Sequence, residues 1–144
     1  MFKAFTIDPG RTTGAAIWQY TDTGIYKLEQ VDEYPERNGL YSVIENTKFD
    51  IIIYEAFRLY ANKAKAQIGS DFEAAQIIGV IKYLAEKQKT PAIEQMASIK
   101  TFWTNDRLKK MGLYVTSDHR RDSIRHFLHW YYLVAKYGNK RDLL

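Results

Sequence analysis

Between Phe2 and Ile7 the chain is apolar except at Lys3 and Thr6. After the turn residues Asp8-Pro9-Gly10 a second apolar run extends from Gly14 to Tyr20. Asp22-Thr23-Gly24 marks another turn, and Ile25 to Val31 alternates apolar and polar residues, the two-residue period of a half-buried strand. Three such runs joined by short turns predict an antiparallel meander. Leu40, Val43, Ile44 and Phe49 then follow helical spacing, and in Asp50 to Glu55 three consecutive isoleucines suit a central strand buried on both faces.

From Ser70 to Lys89 the apolar positions Phe72, Ala75, Ile77, Ile78, Ile81, Leu84 and Ala85 predict a long helix. Ser70 or Asp71 is expected as its N-cap, with Glu73 near the reciprocal capping position. Pro91 to Met96 reads as a fifth strand, and Thr104 to Met111 as a short basic helix stopped by Gly112. A last helix is expected from about Ser117 to Tyr137. Its stripe of Ile124, Leu128, Tyr131 and Ala135 is flanked by Phe127 and Val134, and Gly138 ends it. The order predicts an α/β fold, a mixed five-stranded central sheet flanked by helices. No linker or repeat divides the chain, so one domain over 1–144 is expected.

Composition narrows the chemistry. With 46% hydrophobic residues the 144-residue chain can bury a core, and it is too apolar for disorder. The absence of cysteine excludes disulfides, thiolate metal sites and thiol nucleophiles, leaving oxygen and imidazole ligands. No apolar stretch approaches the ~20 residues of a membrane span, and Met1 to Phe5 runs into a strand without a cleavage signal. A cytoplasmic protein with no membrane partner is expected.

The net charge of +4 is unevenly placed. Residues 1–96 hold 11 basic against 13 acidic residues, whereas 97–144 hold 10 against 4. Arg58, Lys63 and Lys65 form a second basic patch without a neighbouring acid. Together with Lys100, Arg107, Lys109, Lys110, Arg120 and Arg121 they are candidates for tracking a nucleic-acid backbone. Two ordinary solvated faces would carry the same charges.

Three acids interrupt apolar patterns: Asp8 at the end of the first strand, Glu55 at the end of the fourth, Asp122 near the start of the last helix. A carboxylate at the end of a buried strand is costly unless it is hydrogen-bonded, protonated or bound to a cation. Each also has an ordinary explanation. Asp-Pro-Gly is a common turn, Glu55 can face water at a strand end, and an early helical acid suits the helix dipole. Their convergence would suggest a shared cation, which requires the first and fourth strands to be neighbours.

The segments Ile7-Asp8-Pro9-Gly10-Arg11-Thr12-Thr13-Gly14, Ile51-Ile52-Ile53-Tyr54-Glu55 and His119-Arg120-Arg121-Asp122 together resemble the RuvC-type Holliday-junction resolvases of the ribonuclease H-like superfamily. The resemblance spans nearly the whole chain. The compact length and a short Gly10–Thr13 loop are closer to bacteriophage-encoded members, which would place the protein in a bacterial host's cytoplasm.

This resemblance implies a metal-dependent endonuclease that resolves four-way DNA junctions by paired nicks. It implies two magnesium ions, with manganese able to substitute, held by Asp8, Glu55, His119 and Asp122. Asp8 would bridge both ions. Asp118, four residues before Asp122, is the alternative to His119 and otherwise an N-cap, with Ser117 its competitor for that role. Lys100, after the fifth strand, is a candidate catalytic contact to the scissile phosphate. Phe57 to Lys63 mixes aromatic and basic residues directly after Glu55 and is a candidate for holding a DNA branch or a wedge side chain at the crossover, with a core-packing loop as the rival reading. His126 and His129 read as packed by aromatics, with His126 a possible partner of Asp122. Arg125 and Trp130 read as surface and packing residues. A two-fold junction calls for a homodimer, for which the 71–89 helix, with Ala75, Gln76 and Gly79, is the candidate surface. The alternatives are a ribonuclease H-like nuclease acting on branched DNA or RNA–DNA hybrids, and a non-catalytic nucleic-acid-binding module.

Overall fold

The structure is a computed structural model that describes residues 1–57 and 72–135. Its strands are β1 (Phe2–Asp8), β2 (Thr13–Tyr20), β3 (Tyr26–Tyr34), β4 (Ile51–Glu55) and β5 (Ala92–Gln95). They form one sheet in the order β3-β2-β1-β4-β5. The meander β1-β2-β3 is antiparallel, and β1-β4 and β4-β5 are parallel. The expected mixed five-stranded sheet is therefore present, with β1 and β4 adjacent.

Strand alternation sorts the side chains onto two faces. Phe5, Ile7, Ile52 and Tyr54 point to one face, covered by α1 (Arg37–Asn46) and α2 (Glu73–Gln88) through Leu40, Ile44, Ile77, Ile81 and Leu84. Phe49 lies beyond the end of α1, stacked on Phe5 at 4.8 Å. Ala4, Ile51 and Ile53 point to the other face. There they meet α4 (Asp118–His129), which follows a 3₁₀ turn (Ala97–Thr101) and α3 (Asn105–Lys110). Phe127 of α4 stacks on Trp18 of β2 at 4.0 Å, and burying such a ring contributes about 1.5–3 kcal/mol. That contact seats α4 across β1 and β2.

Several boundaries differ from the sequence reading. β3 runs on to Tyr34 because it is an edge strand, where Asp32 and Glu33 keep their charges near water. The last helix is regular only to His129. It then widens into a π turn (Trp130–Val134), closed by an Ala135 N–H donating to the Trp130 carbonyl at 2.6 Å, and this leaves Val134 exposed. Phe72 occupies the N-cap position of α2 without a side-chain cap; Ser70, Asp71 and Gly138 lie outside the described residues.

Candidate active site

Asp8 shares its strand parity with Ala4 and Thr6, Glu55 with Ile51 and Ile53, and Gln95 with Ile93. All three therefore end parallel-paired strands on the α4 face. Gly14, paired with Asp8 across β1 and β2, lies directly under the His119 carbonyl. The loop between them is closed by Thr13, whose hydroxyl donates to the Gly10 carbonyl at 3.2 Å. Ser117 caps α4 by accepting from the Arg120 N–H, and its hydroxyl also donates to Glu33 of β3. These contacts set the first turn of α4 over the end of β1. His119 Nδ1 accordingly stands 3.7 Å from Asp8 Oδ2.

The centre of the cluster is an ammonium. Lys100, carried by the 3₁₀ turn after β5, places Nζ 2.9 Å from Glu55 Oε1 and 3.2 Å from Asp122 Oδ2. Arg125 holds the other side of Asp122 at 2.8 Å, and is itself fixed to the Trp103 carbonyl and Asn105 Oδ1. His126 Nε2 lies 3.0 Å from Glu55 Oε1. Three carboxylates from β1, β4 and α4 thus meet within one small region.

Their electrostatics are unequal. Burial, followed by the charges of Glu55 and Asp122, holds the Asp8 carboxyl well above its usual range despite the opposing Lys100 charge. Burial would also raise Glu55, but hydrogen bonds from His126 and Lys100 outweigh it and bring that carboxyl down to about 2. Burial pulls the Lys100 ammonium down, and its bond to Glu55 with the charges of Glu55, Asp122 and Asp8 carries it above its ordinary value. The cluster is short of positive charge, and the shortfall falls on Asp8.

Among the described residues no group of three His, Asp or Glu side chains is disposed to hold a metal ion, and Lys100 stands between Glu55 and Asp122. In chemistry the set nevertheless fits a hard divalent cation. It offers carboxylate oxygens with one imidazole beside them, and the charge of its most buried member, Asp8, is only partly offset by Lys100.

No protein-family model matches the chain, and no curated protein matches it by sequence. Solved structures do match. T. thermophilus RuvC in complex with a Holliday junction substrate is 12% identical, with a TM-score of 0.69 over 94% of this chain and 98% of that one. The fold is that of RuvC. Another Thermus thermophilus RuvC structure gives 0.67 at 13% identity, covering 90% of this chain and 94% of that one. The Fowlpox virus resolvase with its substrate Holliday junction DNA gives 0.57 at 16% identity, covering 89% and 95%. The RuvC-type, ribonuclease H-like fold expected from the sequence is met.

Within this RuvC fold, Asp8, Glu55, Asp122, His119 and Lys100 come together. Asp118 does not. Its side chain is 82% exposed and pairs with Arg121, so it neither joins the cluster nor caps α4, a role that Ser117 takes. Arg121 is also displaced from the candidate DNA contacts. It is 7% exposed and donates to the Val115 and Thr116 carbonyls and the Tyr114 hydroxyl, pinning the segment before α4. Arg121→Met is expected to lower stability by about 1.5–3 kcal/mol in denaturant melts, with the salt dependence of DNA binding unchanged.

Arg125 is not a surface residue, since it braces Asp122, and His126 partners Glu55 rather than Asp122. Trp130 packs edge-on against Tyr20 as expected. Arg107 lies over the Phe102 ring at 4.3 Å, and Lys109 over Tyr114 at 4.7 Å. Lys110 lines a groove with Arg107, Tyr26 and Tyr132, and Arg120 is half-buried at the start of α4. Arg58, Lys63, Lys65 and most of the Phe57–Lys63 stretch lie outside the described residues. Phe57 itself meets Phe72 edge to face. No helix among the described residues is long and apolar enough to cross a membrane.

Proposed function

We propose that this chain is a divalent-metal-dependent endonuclease that resolves four-way DNA junctions by paired nicks. The observation that carries the reading is the convergence of Asp8, Glu55 and Asp122 around the Lys100 ammonium. The support from comparison is that this cluster sits in a fold shared with RuvC and the Fowlpox resolvase, both solved with Holliday junctions.

Phosphodiester hydrolysis needs a positioned water, a way to ionise it, and stabilisation of charge on the leaving oxygen. Divalent ions held at this site would supply a readily ionised water and neutralise the developing charge. Asp8 and Glu55 would hold one magnesium, and Asp8, His119 and Asp122 the other, with manganese able to replace it. Arg125 keeps Asp122 in place, and Lys100, released from its carboxylate partners, carries its charge to the scissile phosphate. Arg107, Lys109, Lys110 and Arg120 track the backbone through sequence-independent contacts. A two-fold junction calls for two such sites, hence a homodimer.

The test offers the protein a four-way junction, a flap, a linear duplex and an RNA–DNA hybrid, each with magnesium, manganese or no metal. Symmetric nicks in the junction that need either metal are expected. Preferential cutting of the hybrid would reassign the site to ribonuclease H-type chemistry. Junction binding with no cleavage of any substrate would make the chain a binding module.

A further inference from the structure

His126 is fully buried, yet both of its ring nitrogens have polar partners. Nδ1 lies 3.1 Å from Gln95 Nε2, and the same amide nitrogen lies 2.9 Å from the His126 carbonyl oxygen. A carbonyl oxygen only accepts, so the amide must present its NH₂ group here; turning it over would set Oε1 against that carbonyl. One amide hydrogen serves the carbonyl and the other faces Nδ1. Nδ1 therefore accepts, and the ring proton belongs on Nε2, which donates to Glu55 Oε1.

Gln95 is anchored through its backbone, while its side-chain Oε1 is buried without a hydrogen-bond partner among the described residues. Gln95 pairs with Glu55 across β4 and β5, and its carbonyl accepts from the Ala56 N–H at 2.8 Å. Gln95, His126 and Glu55 thus form a chain through β5, α4 and β4. A strand-terminal glutamate has several rotatable bonds, and the other donor to Oε1, Lys100, is a flexible side chain that is 30% exposed. His126 is the rigid one of the two.

We propose that His126 is a positioning residue, its tautomer selected by Gln95, that holds the Glu55 carboxylate in the orientation needed to bind metal. This rests on the nuclease reading of Glu55. Outer partners of ligating groups typically change metal affinity or activity by about 10–100-fold.

The test compares His126→Leu, which cannot donate, with His126→Gln, which retains an N–H donor. Binding of Mn²⁺ alone is followed by electron paramagnetic resonance, and junction nicking is resolved into kcat and KM. The leucine variant should bind Mn²⁺ about 10–100-fold more weakly and lose kcat with KM unchanged, and the glutamine variant should recover most of both. Nitrogen-15 spectra of the metal-free wild type should show the Nε2–H tautomer, and Gln95→Leu should give a mixture of tautomers with intermediate Mn²⁺ affinity. An Nδ1–H tautomer in the wild type, or equal Mn²⁺ binding by the leucine variant and the wild type, overturns the proposal. If His126→Leu does not fold, the wild-type spectrum and Gln95→Leu decide. Neither Mn²⁺ binding nor the spectra involve DNA. A protein that meets both but cuts no junction overturns the nuclease reading and leaves the positioning role standing.

Discussion

Asp8→Asn protein is expected to nick junctions at least about 10³-fold more slowly than wild type while melting at a higher temperature without divalent metal. The loss in rate follows from removing one member of a group that acts as a unit. The gain in stability follows from the same carboxylate. Asp8 is 7% exposed, and burial with the charges of Glu55 and Asp122 raises its pKa in the folded protein. The folded state then holds a proton that the unfolded state releases, so stability is greatest below the unfolded carboxyl's pKa. It falls as pH rises through the folded value. Asparagine is uncharged at every pH and can donate to Glu55 as protonated Asp8 does. Relief of about 1–3 kcal/mol, several degrees in Tm, is expected at neutral pH, shrinking as the solution is acidified. Magnesium should raise the wild-type midpoint by mass action and leave the variant's nearly unmoved. Calorimetry across pH, with and without magnesium, checks both halves. A variant that is less stable at neutral pH, or that nicks at the wild-type rate, would falsify the account.

Asp8 and Glu55 were legible in the sequence because a strand end is marked by local pattern, and a carboxylate there breaks an apolar run. Asp122 and His119 needed the ordered motif, since an acid in the first turns of a helix is otherwise unremarkable. Lys100 was legible by its place just after β5. The partners that hold these groups were not legible. His126 stands among Phe127, Trp130 and Tyr131, so spacing along the helix reads it as packing, and its bond to Glu55 depends on how α4 crosses the sheet. Arg125 and Arg121 are indistinguishable in sequence from the exposed Lys109, because burial of a guanidinium depends on which carbonyls the preceding loop turns toward it. Positions fixed by one strand or one turn can be read from the chain. Those fixed by two elements meeting require the fold.

The second large effect lies in the motif but outside its chemistry: Gly14→Ala is expected to damage both stability and activity, whereas Gly10→Ala four residues earlier is tolerated. A Cβ built on Gly14 falls 1.9 Å from the His119 oxygen, 2.2 Å from its carbonyl carbon and 2.9 Å from the Arg120 nitrogen. All three are backbone atoms of the first turn of α4, so no side chain can swing aside. The helix itself must lift. Ordinary contact begins near 3.4 Å, so the turn that carries His119 would move by more than an ångström, pulling on the Ser117 bond to Glu33. Forcing a methyl into such a contact costs about 1–3 kcal/mol or more. A displacement of about 1 Å at reacting groups can cost about 10²-fold in rate. Gly14 keeps an ordinary backbone conformation, so the requirement is for space rather than for unusual torsion angles. At Gly10 the nearest atom to a built Cβ is the Thr12 oxygen at 3.5 Å, an ordinary contact. Thermal melts and junction nicking of the two variants side by side separate a helix seated on a glycine from a loop that merely contains one. A Gly14→Ala protein that melts and nicks like Gly10→Ala would show that α4 does not depend on this contact.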